Sequence, residues 1–212
     1  MTTKLINNDF SDITFGRRSI RIYDKTVKIS HEEMLEMIQE ATTAPSSVNL
    51  QPWRFVVVES SEEKEKLKPL IRFNTRQNDT SSAMIVIFGD MECHRFGEEI
   101  YNQAVEEGKM PPEVRDQQLA AIIPHYKNLS KSAMNDVVKI DSSLAAMQLM
   151  LVARSHGYDT NPIGGFEADQ LAEAFDLDKE RYIPVMIVSI GKAMEEGYDS
   201  VCLDAEKLTT FK

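Results

Sequence analysis

Two carboxamides, Asn49 and Gln51, two hydroxyls, Ser46 and Ser47, and two prolines, Pro45 and Pro52, crowd one short stretch that runs into Trp53-Arg54-Phe55-Val56-Val57-Val58. Each carboxamide offers an acceptor oxygen and two donor hydrogens, a set suited to the edge of a flat heterocycle that alternates donors and acceptors. Prolines at both ends limit the loop's freedom and hold those groups in place. The same residues also make an ordinary helix-to-strand turn, because turn chemistry and binding chemistry draw on the same side chains. A second cluster, Arg17, Arg18, Ser19 and Arg21, concentrates positive charge in a chain of formal charge −10. The guanidinium fork matches phosphate oxygens, although an arginine pair before a strand also makes surface ion pairs worth little energetically. A third, Asn161-Pro162-Ile163-Gly164-Gly165-Phe166, carries a glycine pair that lets main chain approach a ligand closely or simply turn.

Taken in order, with their spacings, these three elements resemble the nitroreductase family of FMN-dependent, NAD(P)H-oxidising enzymes. That family carries an Arg-Arg-Ser-x-Arg element, a Pro-Ser-Ser-x-Asn-x-Gln-Pro-Trp loop about one helix later, and a Pro-Ile-x-Gly-Phe loop at the flavin ring. The resemblance implies that Arg17 and Ser19 contact the phosphate-and-ribityl arm of FMN, with Arg18 between them, and that Arg21 lies near the pyrimidine edge. A cation there would stabilise negative charge on the reduced ring. It further implies that Asn49 bonds the ring's polar edge, that Gln51 supports it or the ribityl side, and that Pro45, Ser46 and Ser47 contribute contacts across a dimer interface. Main chain at Pro162, Ile163, Gly164 and Gly165 would lie against the flavin, with the Gly164 N–H at the reactive ring nitrogen. Two departures stand out. Many relatives carry an acidic residue at the Gly164 position, and a basic one where Ser200-Val201-Cys202-Leu203 has cysteine. Lys192 or Lys207 would have to replace that missing phosphate cation, and looser FMN retention is expected.

The activity implied is hydride transfer from NADH or NADPH through bound flavin to nitroaromatic, quinone or related small-molecule acceptors, in ping-pong turnover by a homodimer. The hard electron chemistry belongs to the cofactor, and protons can come from water. Consistent with that, the chain has no nucleophile elbow, phosphate-binding Gly-Lys loop or dinucleotide fingerprint. Two alternatives remain: a flavin-binding storage or redox-sensing protein with little turnover, and a flavin-cleaving or dehalogenating relative of the same fold. Lys109, Arg115 and Lys127 are all candidates to select the 2′-phosphate of NADPH, and none stands out.

Bulk properties narrow the field. The acidic balance argues against a general nucleic-acid binder and against docking on anionic membranes. Cys93 and Cys202 read as reduced, unpaired thiols, and His31, His94, His125 and His156 are too scattered for a metal site. With no signal-like N-terminal run and no stretch approaching the roughly 18 to 20 apolar residues of a membrane span, a cytoplasmic protein is expected.

The elements that must position the three clusters follow from patterning. Ser30 with Glu33 makes a capping box for a helix to Pro45. Phe55–Val58, Ala83–Phe88 and Tyr182–Ile190 read as buried strands, the last near a sheet edge or strand start because of Pro184. Glu62–Leu70 reads as a charged, solvated helix, and Glu167–Phe175 as a short amphipathic one. Asp136–His156 is apolar on nearly all sides from Leu144, so it must be covered on all sides. No linker or repeat divides the chain, so residues 1–212 are expected to form a single FMN-binding domain. The fold class expected is α+β, an α/β/α layered nitroreductase-like fold. The resemblance adds a central, mostly antiparallel sheet and a long buried helix at a homodimer interface. The helical excursion over 92–128 is either a lid or a surface hairpin, and the tail at 195–212 could add a strand to its own sheet or a partner's.

Overall fold

A computed structural model describes residues 5–212; the first four residues of the stretch read for a leader lie outside it. The elements run α1 (Phe10–Gly16), α2 (His31–Ala41), β1 (Trp53–Val58), α3 (Ser61–Leu67), α4 (Thr75–Thr80), β2 (Ala83–Asp90), α5 (Gly97–Glu106), α6 (Pro112–Lys127), α7 (Lys131–Ser155), β3 (Asp159–Ile163), α8 (Ala168–Ala174), β4 (Tyr182–Gly191) and α9 (Ala205–Leu208). The four strands form one antiparallel sheet in the order β1-β2-β4-β3.

Strand alternation splits the core into two layers. Ala83, Ile85 and Ile87 of β2, with Val188 and Ile190 of β4, face Met34, Met37 and Ala41 of α2 and Ala146, Leu149, Met150 and Ala153 of α7. Met84, Val86 and Phe88 point the other way, onto Leu67, Leu70, Ile71, Leu171 and Ala172. Helices therefore cover both faces, and the eight residues of β2 are all buried. Each fully buried aliphatic side chain contributes about 1.5–3 kcal/mol, so this inner strand is a rigid base for the loops at its ends.

Several expectations need correcting. Asn161-Pro162-Ile163 is not loop but most of β3. It is an outer strand, where a proline lacking its N–H is tolerated. The strand at Tyr182–Gly191 is not at an edge: β4 lies between β2 and β3. Pro184 falls near its start, ahead of the Ile187–Gly191 stretch that pairs with β3 and beside a register shift at Ile87/Phe88. The charged helix α3 is solvated only in part, since Leu67 and, in the following turn, Leu70 are core. The long helix α7 begins five residues before the expected Asp136, because Ser130 caps it by accepting from the Ala133 N–H. Its face is divided: Ala145, Ala146 and Leu149 are fully buried, whereas Ile140, Leu144 and Met147 are 63%, 43% and 43% exposed. Those three follow an i, i+4, i+7 spacing and so form one stripe left bare in the single chain.

The tail adds no strand within its own chain. Val201 is 99% exposed, and Tyr198, Leu203, Leu208 and Phe211 are exposed as well.

Candidate functional site

The carboxamide loop leads into β1. Trp53 is 4% exposed and packs with Ala44 and Ala145, anchoring the loop in the core. Within the loop Val48, Asn49 and Gln51 have φ of 44°, 56° and 46°. Left-handed backbone costs non-glycine residues about 1 kcal/mol or more each, most for a β-branched one. Such strain persists only where the surroundings over-determine it, and here they do. The Ser47 N–H and hydroxyl donate to Asp141 at 2.9 and 3.2 Å. The Gln51 N–H donates to Ser46 Oγ at 3.1 Å, Arg54 donates to the Gln51 carbonyl at 2.9 Å, and the Tyr101 hydroxyl donates to the Val48 carbonyl at 3.0 Å. Asn49 Oδ1 accepts from Gln51 at 3.3 Å. Pro45 and Asn49 are exposed, and Ser46, Ser47 and Gln51 half-buried.

Arg54, which leaves this loop, pairs with Asp90 at 3.2 Å, and Arg181 grips the same carboxylate at 2.8 Å through two nitrogens. Asp90 is fully buried. Its hydrogen bonds hold the Arg181 guanidinium well above its ordinary pKa, so this triad is a fixed brace at the loop end of the sheet.

The arginine cluster lies along the opposite edge. Ser19 bridges Thr160 of β3 in parallel, and the Ile20 N–H donates to the Thr160 carbonyl at 3.1 Å. Tyr23 then crosses the sheet's end, its hydroxyl 2.8 Å from Ser189 Oγ and its N–H on Thr80. Burial raises the Tyr23 pKa far above its ordinary value, so that hydroxyl stays neutral. The three arginines have different surroundings. Arg17 has a buried Nη1 with no partner. Arg18 donates to the Phe15 and Arg17 carbonyls and pairs with Asp199 at 3.0 Å. The Arg21 guanidinium sits 5.0 Å over the Tyr198 ring, and its backbone N–H donates to Glu195 at 2.6 Å.

Lys192 is exposed and donates to the Gly157 carbonyl at 2.9 Å, at the C-terminal end of α7. Its charge complements that helix end. Lys207 is in the exposed α9, and Cys202 is exposed and free.

At the far end of β3, Ile163 is buried, Pro162 half-buried and Gly164 exposed. Neither Gly164 nor Gly165 uses a left-handed φ, so unusual backbone angles are not their role. What Gly164 provides is room: a Cβ there would meet nothing within 4 Å. Beside Gly165 stands the Asn74 side chain, 3.6 Å from where its Cβ would be, and Gln77 donates to Asn74 Oδ1 at 3.2 Å. Sequence reasoning missed this pair. The Asn74-x-x-Gln77 spacing, which places two carboxamides on one helical face, was the available signal. Phe73, next to Asn74, is 97% exposed and was also missed.

The clusters therefore divide between two edges. Arg17 to Arg21 and Pro162 to Gly165 share the β3 edge, while Pro45 to Gln51 lie at the β1 edge. Three inter-strand spacings separate the outer strands, about 14 Å. Within one chain the sheet does not bring them together.

The excursion over 92–128 packs on the carboxamide loop. Besides the Tyr101 bond, Leu50 packs with Cys93, Met134 and Val138, and Tyr126 packs against that cluster. A cavity of about 500 Å³ opens between α5 and the loop, lined by Gln39, Thr43, Asn49, Gln51, Gln103 and Lys109. Of the three candidate selector cations only Lys109 lines it, and it is paired with Glu107. A larger cavity of about 710 Å³, between α6 and the start of α7, contains none of the loop's carboxamides. Much of its charged rim is already paired, Glu92 with Arg95 and Lys131 with Glu180. Size does not identify the site here; chemistry does.

The residues fit a flavin mononucleotide. A buried arginine nitrogen without a partner suits a phosphate, and the open side of Gly164 leaves space for a ring against main chain. Among the described residues no cluster of three or more His, Cys, Asp or Glu could hold a metal, and no helix is long and apolar enough to cross a membrane.

Comparison with known proteins agrees. The model of the nitroreductase family matches residues 15–192. The "Putative NAD(P)H nitroreductase YdgI" of Bacillus subtilis is 57% identical over 97% of this chain and 98% of its own. The CLA biosynthesis enone reductase of Lactiplantibacillus plantarum is 41% identical over 98% of this chain and 96% of its own. A crystal structure of an Exiguobacterium sibiricum protein in complex with FMN superposes with a TM-score of 0.95 at 57% identity, covering 99% of this chain and 100% of that one.

Proposed function

The chain belongs to the nitroreductase family and is an NAD(P)H-dependent flavin oxidoreductase with FMN as cofactor, and from that premise we propose that it reduces nitroaromatic, quinone or related acceptors by ping-pong turnover as a homodimer. When bound, FMN supplies the chemistry, accepting hydride from NADH or NADPH and giving it to the acceptor. The chain's residues position and tune. Arg17 and Ser19 hold the phosphate arm, the Gly164 N–H lies against the ring, and Arg21 stabilises negative charge on it. Asn49 and Gln51 read the ring's polar edge from a second copy of the chain. Phe73 gives the acceptor an apolar wall, and conjugated enones belong with quinones among the acceptors to test, since both are electron-poor conjugated carbonyls. The reading rests chiefly on the buried, unpartnered Arg17 Nη1 at the β3 edge.

Dimerisation is supported by the bare Ile140, Leu144 and Met147 stripe and by the spacing of the two site halves on opposite sheet edges. The exposed apolar tail suits an arm laid on the second copy. Cys93 and Cys202 are both free, which supports a reducing, cytoplasmic setting. Arg18 serves the tail through Asp199 more than the phosphate, and Lys192 serves a helix end, so neither offsets the cysteine at 202. FMN should therefore wash out on prolonged dialysis.

Anaerobic NADH and then NADPH, added to protein reconstituted with FMN, should bleach the flavin band, and quinone or nitroaromatic should restore it. A band that neither donor bleaches would refute turnover and leave a flavin-binding protein.

A further inference from the structure

Asp141 lies on the inner face of α7, 3% exposed, with Val138 and Ala145 fully buried on the same face. No Lys, Arg or His among the described residues pairs with it, and its carboxylate instead accepts the N–H and the hydroxyl of Ser47. Taking a carboxylate out of water without a cation is costly, and burial accordingly raises its pKa. A residue selected for packing alone would not be ionisable here. Ser47 immediately precedes the strained Val48 and Asn49, and the Tyr101 hydroxyl holds the same turn from the excursion's side.

We propose that Asp141 is a positioning residue for the carboxamide loop: by fixing Ser47 it holds Val48 to Gln51 in the left-handed turn that presents Asn49 and Gln51. The proposal rests on the reading of that loop as the part that contacts the flavin ring. It makes the central helix, which carries the bare dimer stripe on another face, the element that sets the geometry of the loop.

A purely stabilising role predicts something different. The titratable groups facing Asp141 are Tyr126 and Cys93, and burial pushes both up, the thiol to about 12, so both are neutral at pH 7. A carboxylate with a raised folded-state pKa favours the fold fully only below its unfolded value of 3.8, and loses that advantage as pH rises through the folded value. Above the folded value its charge opposes folding. Asp141→Asn should therefore hold or raise Tm at pH 7 while loosening the loop.

Amide-hydrogen exchange across 47–51, the midpoint potential of bound FMN, and the split between kcat and KM should be measured for Asp141→Ala, Asp141→Asn and Asn49→Ala. Asp141→Ala is expected to speed exchange at Val48 to Gln51 about tenfold or more. It should also shift the potential in the direction that Asn49→Ala shifts it. Asn, whose carbonyl can still accept one of the two bonds, should rescue partly. If Asn49→Ala alters the flavin while Asp141→Ala leaves both exchange and potential unchanged, the positioning role is refuted and the loop's role stands. Should Asn49→Ala leave the flavin untouched, the underlying reading of the loop is wrong and the proposal falls with it. If the alanine variant does not fold, exchange in the isosteric Asp141→Asn decides: several-fold faster supports the role, and no change overturns it.

Discussion

The two edges of the sheet carry opposite kinds of site. At the β1 edge the carboxamide loop is internally complete: it is strained, yet tied down by Asp141, Tyr101, Arg54 and its own Ser46. At the β3 edge the chain is electrostatically unfinished, with a buried arginine nitrogen lacking a partner and an open glycine. On the proposed reading, the pre-organised half would read a rigid ring and the other would take an anion. Pre-organisation reduces the ordering cost at binding, whereas uncompensated buried donors make the bound anion itself part of the fold's stability. The difference supports the proposal that neither half is a site alone and that a second copy of the chain joins them.

The heaviest blow to that arrangement should be Leu144→Glu, on the bare stripe of α7. A charge buried at an interface is strongly destabilising. The variant is expected to run as a monomer in analytical ultracentrifugation and to bind no FMN at micromolar concentration. A monomer that still binds FMN with wild-type affinity would break the two-edge account.

Arg17→Ala and Asn49→Ala should then separate the halves. Charge-assisted hydrogen bonds contribute about 1.5–3 kcal/mol each, so the first should weaken FMN binding by about ten- to a hundredfold in a fluorescence titration. Asn49→Ala removes only a neutral hydrogen bond and should cost about 1 kcal/mol of FMN affinity, with the larger effect falling on kcat. Equal effects on both quantities would blur the division.

The mildest change is Val48→Gly, which removes left-handed strain from the loop. Glycine accepts that φ freely, and a gain of about 0.5–1 kcal/mol should raise Tm by about 1–4 °C in a chain of this length. The loop should also become looser, with kcat falling modestly. A lower Tm would mean the strain is smaller than the backbone angles indicate.

Much of this was legible in the residues. Ser30 and Glu33 announced α2, the β-branched runs announced β1, β2 and β4, and the carboxamide cluster fell directly ahead of β1. What stayed hidden had physical causes. A strand reading Asp-Thr-Asn-Pro-Ile is neither apolar nor alternating, and only its outer place in the sheet makes it possible. Ser130 was an unnoticed cap because the first turn of α7 is polar. Asp141 carries no local signal of function and the Asn74-x-x-Gln77 spacing only a faint one, since their meaning comes from what the fold sets beside them. Sequence separation likewise concealed that the arginines and the carboxamide loop lie on opposite edges. Only the strand order reveals it.

Co-expression of Arg17→Ala and Asn49→Ala chains under different tags tests the shared site most directly. If each site takes its arginines from one copy and its carboxamides from the other, a mixed dimer contains one intact site and one doubly damaged one. Random pairing should then restore about a quarter of wild-type NAD(P)H oxidation, and isolated mixed dimers about half. Were each site contained within one chain, every site would carry a lesion. The mixture would then be no more active than the average of the two variants, and the account would be contradicted.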